Sequence, residues 1–99
     1  MSLIQQAPGH FIMEGSITFD NAATVVADGQ KLLSTSLSTK HWCIDLAATE
    51  QADSSALSVF LSWIRLAQKQ DIHLTFSNMP AQLEALVQVS DLQNLLQMA

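Results

Sequence analysis

The stretch HWCIDLAATEQADSSALSVFLSWIRLAQKQDIHLTFS, residues 41–77, decides the fold. Both of its ends alternate. Trp42, Ile44 and Leu46 point one way and His41, Cys43 and Asp45 the other; further on, Ile72, Leu74 and Phe76 oppose His73, Thr75 and Ser77. A period of two is that of a β-strand with one apolar face. Between these strands Leu57, Phe60, Leu61, Ile64 and Ala67 fall at helical spacing, and Asp53, Ser54 and Ser55 are all types that favour a helix N-cap. A helix is expected over about residues 54–68. Strand, helix and strand at this spacing make a βαβ unit, for which a right-handed crossover is expected. Parallel strands covered on both faces read as continuous apolar runs. These alternate instead, so the helices are expected mainly on one face of the sheet.

Working outward, His10 to Met13 and Ile17 to Phe19 read as a strand pair punctuated by Gly15. Asp20 or Asn21 can cap a following helix, whose apolar stripe is Ala22, Val25, Val26, Leu32 and Leu33, with Gly29 on the same side. Residues 34–40 form a polar connection. Beyond the βαβ unit, Pro80 opens another helix, where its missing N–H costs nothing, and Leu83, Leu86 and Val87 are its stripe. Residues 91–98, with Leu92, Leu95 and Leu96, form a last short helix or turn.

The chain has 99 residues, which argues for one domain over residues 1–99. With 48% hydrophobic and 13% charged residues it is globular in composition. Its net charge is −5, from four Lys and Arg against nine Asp and Glu, with no local basic cluster; this excludes nucleic acid as a natural partner and disfavours anionic lipid. Cys43 is the single cysteine, so no internal disulfide forms, which suits a reducing compartment. Met1 to His10 contain no Lys or Arg and no long apolar core, so they are not expected to be a secretory signal. The most apolar stretch, residues 56–67, is interrupted by Ser58, Ser62 and Arg65 and is too short and polar to insert directly into a bilayer. The cytoplasm is the expected location.

Cys43-Ile-Asp-Leu46, then Ala52-Asp-Ser-Ser-Ala-Leu57, then a helix ending Leu66-Ala-Gln-Lys-Gln70 resemble the STAS family. Its pattern is an I-D-L strand, a loop of about six residues, D-S/T-S/G-G/A-L at a helix start, and a second strand. Glu14-Gly15 and Asp91-Leu92 also fall where the family has similar residues. The resemblance implies an α/β, STAS-like domain: a mixed β-sheet of four to five strands with about four helices mainly on one face.

Two subfamilies compete. Anti-sigma-factor antagonists carry D-S-S-G, and a kinase phosphorylates the second serine, which here is Ser55. The small STAS subunit of the Mla-type phospholipid ABC transporter carries a motif resembling D-T-G-G-L, whose threonine maps onto Ser54. The helix end Leu66-Ala-Gln-Lys-Gln70 resembles the transporter subunit more. The resemblance therefore implies a non-catalytic subunit that binds the ATPase of a phospholipid ABC transporter maintaining outer-membrane lipid asymmetry. Such a subunit is cytoplasmic and peripheral to the inner membrane through its partner. The alternative is an anti-sigma-factor antagonist, partnered by an anti-sigma factor or serine kinase and switched at Ser55. Three positions depart from the family: Ala56, Asp71 and Ser90 stand where glycine is usual, and the turn at Asp71 must manage without the residue best suited to φ > 0.

The candidate partner-binding residues are Asp53, Ser54, Ser55, Val59, Trp63 and Leu66. The serines read equally as a plain N-cap. Val59, Trp63 and Leu66 form a second stripe beside the core arc, either packed on a neighbouring helix or open for docking, since Trp is enriched at interface hot spots. His10, His41 and His73 lie far apart and lack metal-ligand spacing. Cys43 reads as a buried, inert thiol. Asp45 either steadies the loop before Asp53 or is a polar residue on the open face. As an acid–base pair, Asp45 and Asp53 lack any accompanying phosphate loop, nucleophile motif or metal cluster. No catalytic residue, metal or cofactor is expected.

Overall fold

The computed structural model describes residues 2–92 and Leu96. Its elements are β1 (Ser2–Ala7), β2 (His10–Ile17), α1 (Ala22–Leu33), β3 (His41–Asp45), β4 (Thr49–Ala52), α2 (Ser55–Lys69), β5 (His73–Ser77) and α3 (Ala81–Val89). The βαβ unit stands as expected. β3 and β5 pair in parallel in register, His41 opposite His73 through Asp45 opposite Ser77. The sheet order is β1-β2-β3-β5, with β4 also against β2. It is mixed, because β1 runs antiparallel to β2 while the remaining pairs are parallel.

The first hairpin differs from the sequence reading. Gly15 does not separate two strands; it lies inside the single strand β2, and Phe19 is outside the sheet. The partner strand is β1, joined through Pro8 and Gly9. Polar Gln5 and Gln6 hide the alternation of β1, in which Leu3 is buried and Ile4 to Ala7 are exposed. Gly9 has φ +78, and a Cβ there would meet the His41 carbonyl oxygen at 2.6 Å. Gly15, at φ +87, sits where β2 changes neighbour. Its first half pairs with β3 over His10–Ile12, and its second half pairs with β4 at Gly15 and Ile17 across a register shift. A glycine with positive φ inside a strand is the usual means of such a bulge.

One core lies between a single face of the sheet and the apolar stripes of the helices. Phe11, Met13 and Ile17 of β2, Trp42 and Ile44 of β3, Leu74 and Phe76 of β5, and Leu83 and Val87 of α3 all belong to it. Ring contacts continue it: Phe60 of α2 lies 4.8 Å from Phe76 and 6.0 Å from Trp63. The opposite face keeps His41 and His73 exposed. Three helices are present among the described residues. The last helix or turn expected over residues 91–98 falls largely outside them; Leu96 is described and is buried, its N–H donating to the Leu92 carbonyl at 3.1 Å.

α1 and α2 touch where Gly29 faces Trp63. A Cβ on Gly29 would lie well inside contact distance of the indole, and the indole N–H points to the Val26 carbonyl at 3.4 Å. Val25, Gly29 and Leu33 are the buried residues of α1. Gly29 thus costs helix propensity but permits close approach.

Both α2 and α3 end in the same motif. Ile72 N–H reaches the Ala67 carbonyl at 2.8 Å and Asp71 N–H the Gln68 carbonyl at 3.2 Å; Leu92 and Asp91 repeat this on Val87 and Gln88 at 3.0 and 3.1 Å. This is the Schellman arrangement, which places one residue in the left-handed region. That residue is Asp71 (φ 58) after α2 and Asp91 (φ 57) after α3, whereas Ser90 keeps right-handed backbone.

Two stability outcomes are expected. Gly29→Ala should destabilise the fold by about 1–3 kcal/mol in urea titrations through overpacking, outweighing the roughly 1 kcal/mol that Ala contributes to helix propensity. Trp63→Phe in the same chain should recover part of that loss, and strict additivity of the two changes would refute the contact. Asp71→Gly should stabilise by on the order of 0.5–1 kcal/mol, the left-handed strain relieved less the added unfolded-chain entropy. Ser90→Gly, made where φ is already negative, should not.

Candidate functional site

The start of α2 is built by β4. Ala52 still pairs with Ile17, and the next N–H, of Asp53, donates to the Ile17 carbonyl at 3.1 Å. The sheet therefore delivers Asp53 directly to the helix. Its carboxylate then ties two segments together. Oδ1 accepts the Ser55 N–H at 2.9 Å and also the Ser55 hydroxyl, while Oδ2 accepts the Phe19 N–H at 3.1 Å. Capping of α2 is thus performed by Asp53 and not by the serines: Ser54 occupies the N-cap position without a side-chain capping bond. The hydroxyl of Ser55 first, with the amides of Ser55 and Phe19, holds the Asp53 carboxyl below its ordinary value.

The two serines differ in access. Ser54 is exposed. Ser55 is only 6% exposed and its hydroxyl is occupied by Asp53. Beside them a shallow recess of about 240 Å³ is lined by Thr18, Gln51, Ala52, Asp53 and Gln82, so it joins the turn after β2, the end of β4 and the start of α3.

The second stripe on α2 is corrected. Val59 and Trp63 are fully buried, Trp63 against Gly29 of α1, so of the two readings open from the sequence the packing one describes them. Two adjacent arcs of α2 are covered at once, one by the sheet and one by α1, and periodicity alone does not separate a helix-facing arc from a free one. Leu66 is half-buried, at the rim of a groove with Gln30, Ser62, Arg65 and Lys69.

The turn before α1 holds the residue that sequence reasoning missed. Phe19, read as strand, is 74% exposed. Asn21 takes the N-cap position of α1, yet its side chain makes no capping bond there. Instead Oδ1 accepts the Thr18 N–H and Nδ2 donates to the Ser16 carbonyl, both at 2.9 Å. An aromatic followed by Asp20 and Asn21 is the available signal, since both favour turns.

Asp45 steadies its loop: Oδ1 accepts the Ala47 N–H at 2.8 Å and the Asn78 amide at 3.1 Å. The sheet brings His41 and His73 into a stack at 5.5 Å, with His41 Nε2 3.0 Å from the Thr75 hydroxyl. Burial first, then His73 and His10, lowers the His41 pKa. Cys43 is half-buried on this face and not enclosed, with Sγ 3.8 Å from the Ser77 hydroxyl. Among the described residues no group of three or more His, Cys, Asp or Glu is placed to hold a metal ion, and no helix is long and apolar enough to cross a membrane.

Asp53 makes the fold acid-sensitive. Its folded-state pKa lies below the ordinary value of 3.8, so its contribution is present above that value and lost as pH falls through the folded pKa. Asp53→Ala should lower the urea midpoint at neutral pH, and the gap to wild type should close as pH falls below 3.8. A gap independent of pH would show that the carboxylate is not the cap.

The geometry has known counterparts. A chain of the Acinetobacter MlaFEDB complex in its ATP-bound Vtrans2 conformation superposes with a TM-score of 0.85 at 23% identity, covering 100% of both chains. The anti-sigma factor antagonist SpoIIAA in its unphosphorylated form superposes at 0.74 and 13% identity, over 99% of this chain and 86% of that one. A third structure, Mglu, matches at 0.58 and 15% identity, over 81% of this chain but only 19% of its own. No curated protein sequence matches the chain. The family described as "Mlab, STAS domain" matches residues 4–97, nearly the whole sequence, and the chain therefore belongs to the STAS-domain family.

Proposed function

We propose that the chain, as a single STAS domain over residues 1–99, is a non-catalytic subunit that binds the ATPase of a phospholipid ABC transporter. It serves outer-membrane lipid asymmetry from the cytoplasm, held at the inner membrane through that partner. The contact is the start of α2, with Ser54 at its centre and Asp53 beside it.

The observation that carries this reading is the unequal access of the two serines. Ser54 is exposed and uses no capping bond of its own, so its hydroxyl is free to meet a partner. Ser55 is buried and donates to Asp53. A phospho-switch at Ser55 would require the hydroxyl to leave that bond and place about −1.5 to −2 charges beside a carboxylate. The helix N-terminus favours an added anion, but Asp53 already occupies that position. The likeness to SpoIIAA keeps the antagonist reading second, with an anti-sigma factor or serine kinase as partner. Fold alone does not separate the two.

Ser54→Arg should abolish function in cells, scored as detergent sensitivity from a failing outer membrane, while Ser55→Ala leaves it nearly intact. Phosphate found on Ser55 in cells, with Ser55→Ala locking a transcriptional response, would replace the transporter reading by the antagonist one.

A further inference from the structure

Three of the four phenylalanines, Phe11, Phe60 and Phe76, are at most 1% exposed; Phe19 is 74% exposed. Its loop is nevertheless tied down. Asn21 bonds Thr18 through both side chain and backbone and reaches back to Ser16, while Asp53 holds the Phe19 N–H. A ring presented from a pinned turn loses less freedom on binding than one on a loose loop. The same carboxylate that holds this turn caps α2, so the ring and Ser54 flank one shared fixed point.

Positive charge is confined to one end of the molecule, where Asp71 and Asp91 in the turns after α2 and α3 accompany it. Every lysine and arginine lies toward one end: Lys31 in the last turn of α1, Lys40 just before β3, and Arg65 and Lys69 near the end of α2. At the other end, where β2, β3 and β4 finish and the helices begin, are Asp20, Asp45, Glu50, Asp53 and Glu84. Phe19 therefore projects from an acidic surround, with Asp20 next to it in the chain and Asp53 bonded to its N–H. That surround opposes an anionic lipid surface and favours a cationic protein surface.

We propose that Phe19 is the anchor of the α2-start contact, seated in an apolar recess of the partner that is rimmed by lysine or arginine. The inference rests on the transporter reading and assigns the partner's chemistry to the ATPase subunit. Phe19 supplies the hot spot that the buried Trp63 does not. Asp20 and Glu50 steer the approach.

The test is binding kinetics between the purified chain and the purified ATPase subunit of the associated transporter. Phe19→Ala should weaken binding by roughly 30-fold or more, mainly through faster dissociation, as for a hot spot. Its thermal melting should stay at the wild-type value, and Phe19→Leu should recover part of the affinity. Asp20→Lys combined with Glu50→Lys should slow association by about 10-fold at low salt, and the difference should shrink at high salt. Val89→Ala, an equally exposed apolar truncation at the far end of α3, should change nothing.

If the wild-type chain does not bind the ATPase, the transporter reading fails and this inference with it. If wild type binds and Ser54→Arg abolishes binding, but Phe19→Ala binds normally, the anchor alone is refuted. An equal loss from Val89→Ala also refutes it. So does a Phe19-dependent self-association, or a Phe19-dependent attachment to phosphatidylcholine–phosphatidylglycerol vesicles, with ATPase binding unchanged.

Discussion

β2 must satisfy two different neighbours along one edge. Its first half pairs with β3 and its second with β4, and Gly15 at φ +87 makes the change without breaking the strand. The chain between β3 and β4 turns sharply beside it, with Asp45 holding Ala47 and the Thr49 N–H bonded to the Leu46 carbonyl at 3.0 Å. The short β4 then carries the chain to Asp53 in register with Ile17. Everything at the α2 start follows from that delivery. Without the second pairing, Asp53 would have no fixed position from which to hold both Ser55 and Phe19.

The Asp53 carboxylate converts sheet geometry into a rigid surface. It accepts from groups 2 and 34 residues away in the sequence. A group that accepts three bonds, at least one from a buried hydroxyl, is poorly suited to proton transfer, because its charged form is the one the surroundings favour. The same bonds suit a docking face, whose cost of ordering is met on folding and not on binding. A non-catalytic reading is consistent with this use of the carboxylate.

Superposition at 23% and 13% identity shows how little sequence the scaffold requires. Cores tolerate wide substitution when volume and patterning are kept. Exposed positions such as Phe19 and Ser54 carry no such packing constraint. Aspartate in place of glycine at Asp71 shows the scaffold's tolerance too, since the Schellman turn forms with the left-handed residue strained.

The alternation of residues 41–46 and 72–77 and the stripe Leu57, Phe60, Ile64 and Ala67 determined the βαβ unit, because periodicity is a local property that a buried face imposes on each element. The D-S-S motif located the α2 start for the same reason. Residues 2–7 and 49–52 gave no such signal: in β1 apolar Leu3 and Ile4 are adjacent and Gln5 and Gln6 follow, so nothing alternates, and β4 is four residues whose strand character comes from pairing with β2. Only tertiary structure decided that Trp63 packs on α1, since a helix carrying two covered arcs has the same pattern as one carrying a covered and a free arc. It alone decided which serine faces outward, because that depends on the bond Ser55 donates to Asp53 and not on residue type. It also placed Phe19 on the surface. Local pattern reads Phe19 as strand, but the ladder of β2 ends at Ile17 and the Asn21 turn carries the ring away from the core.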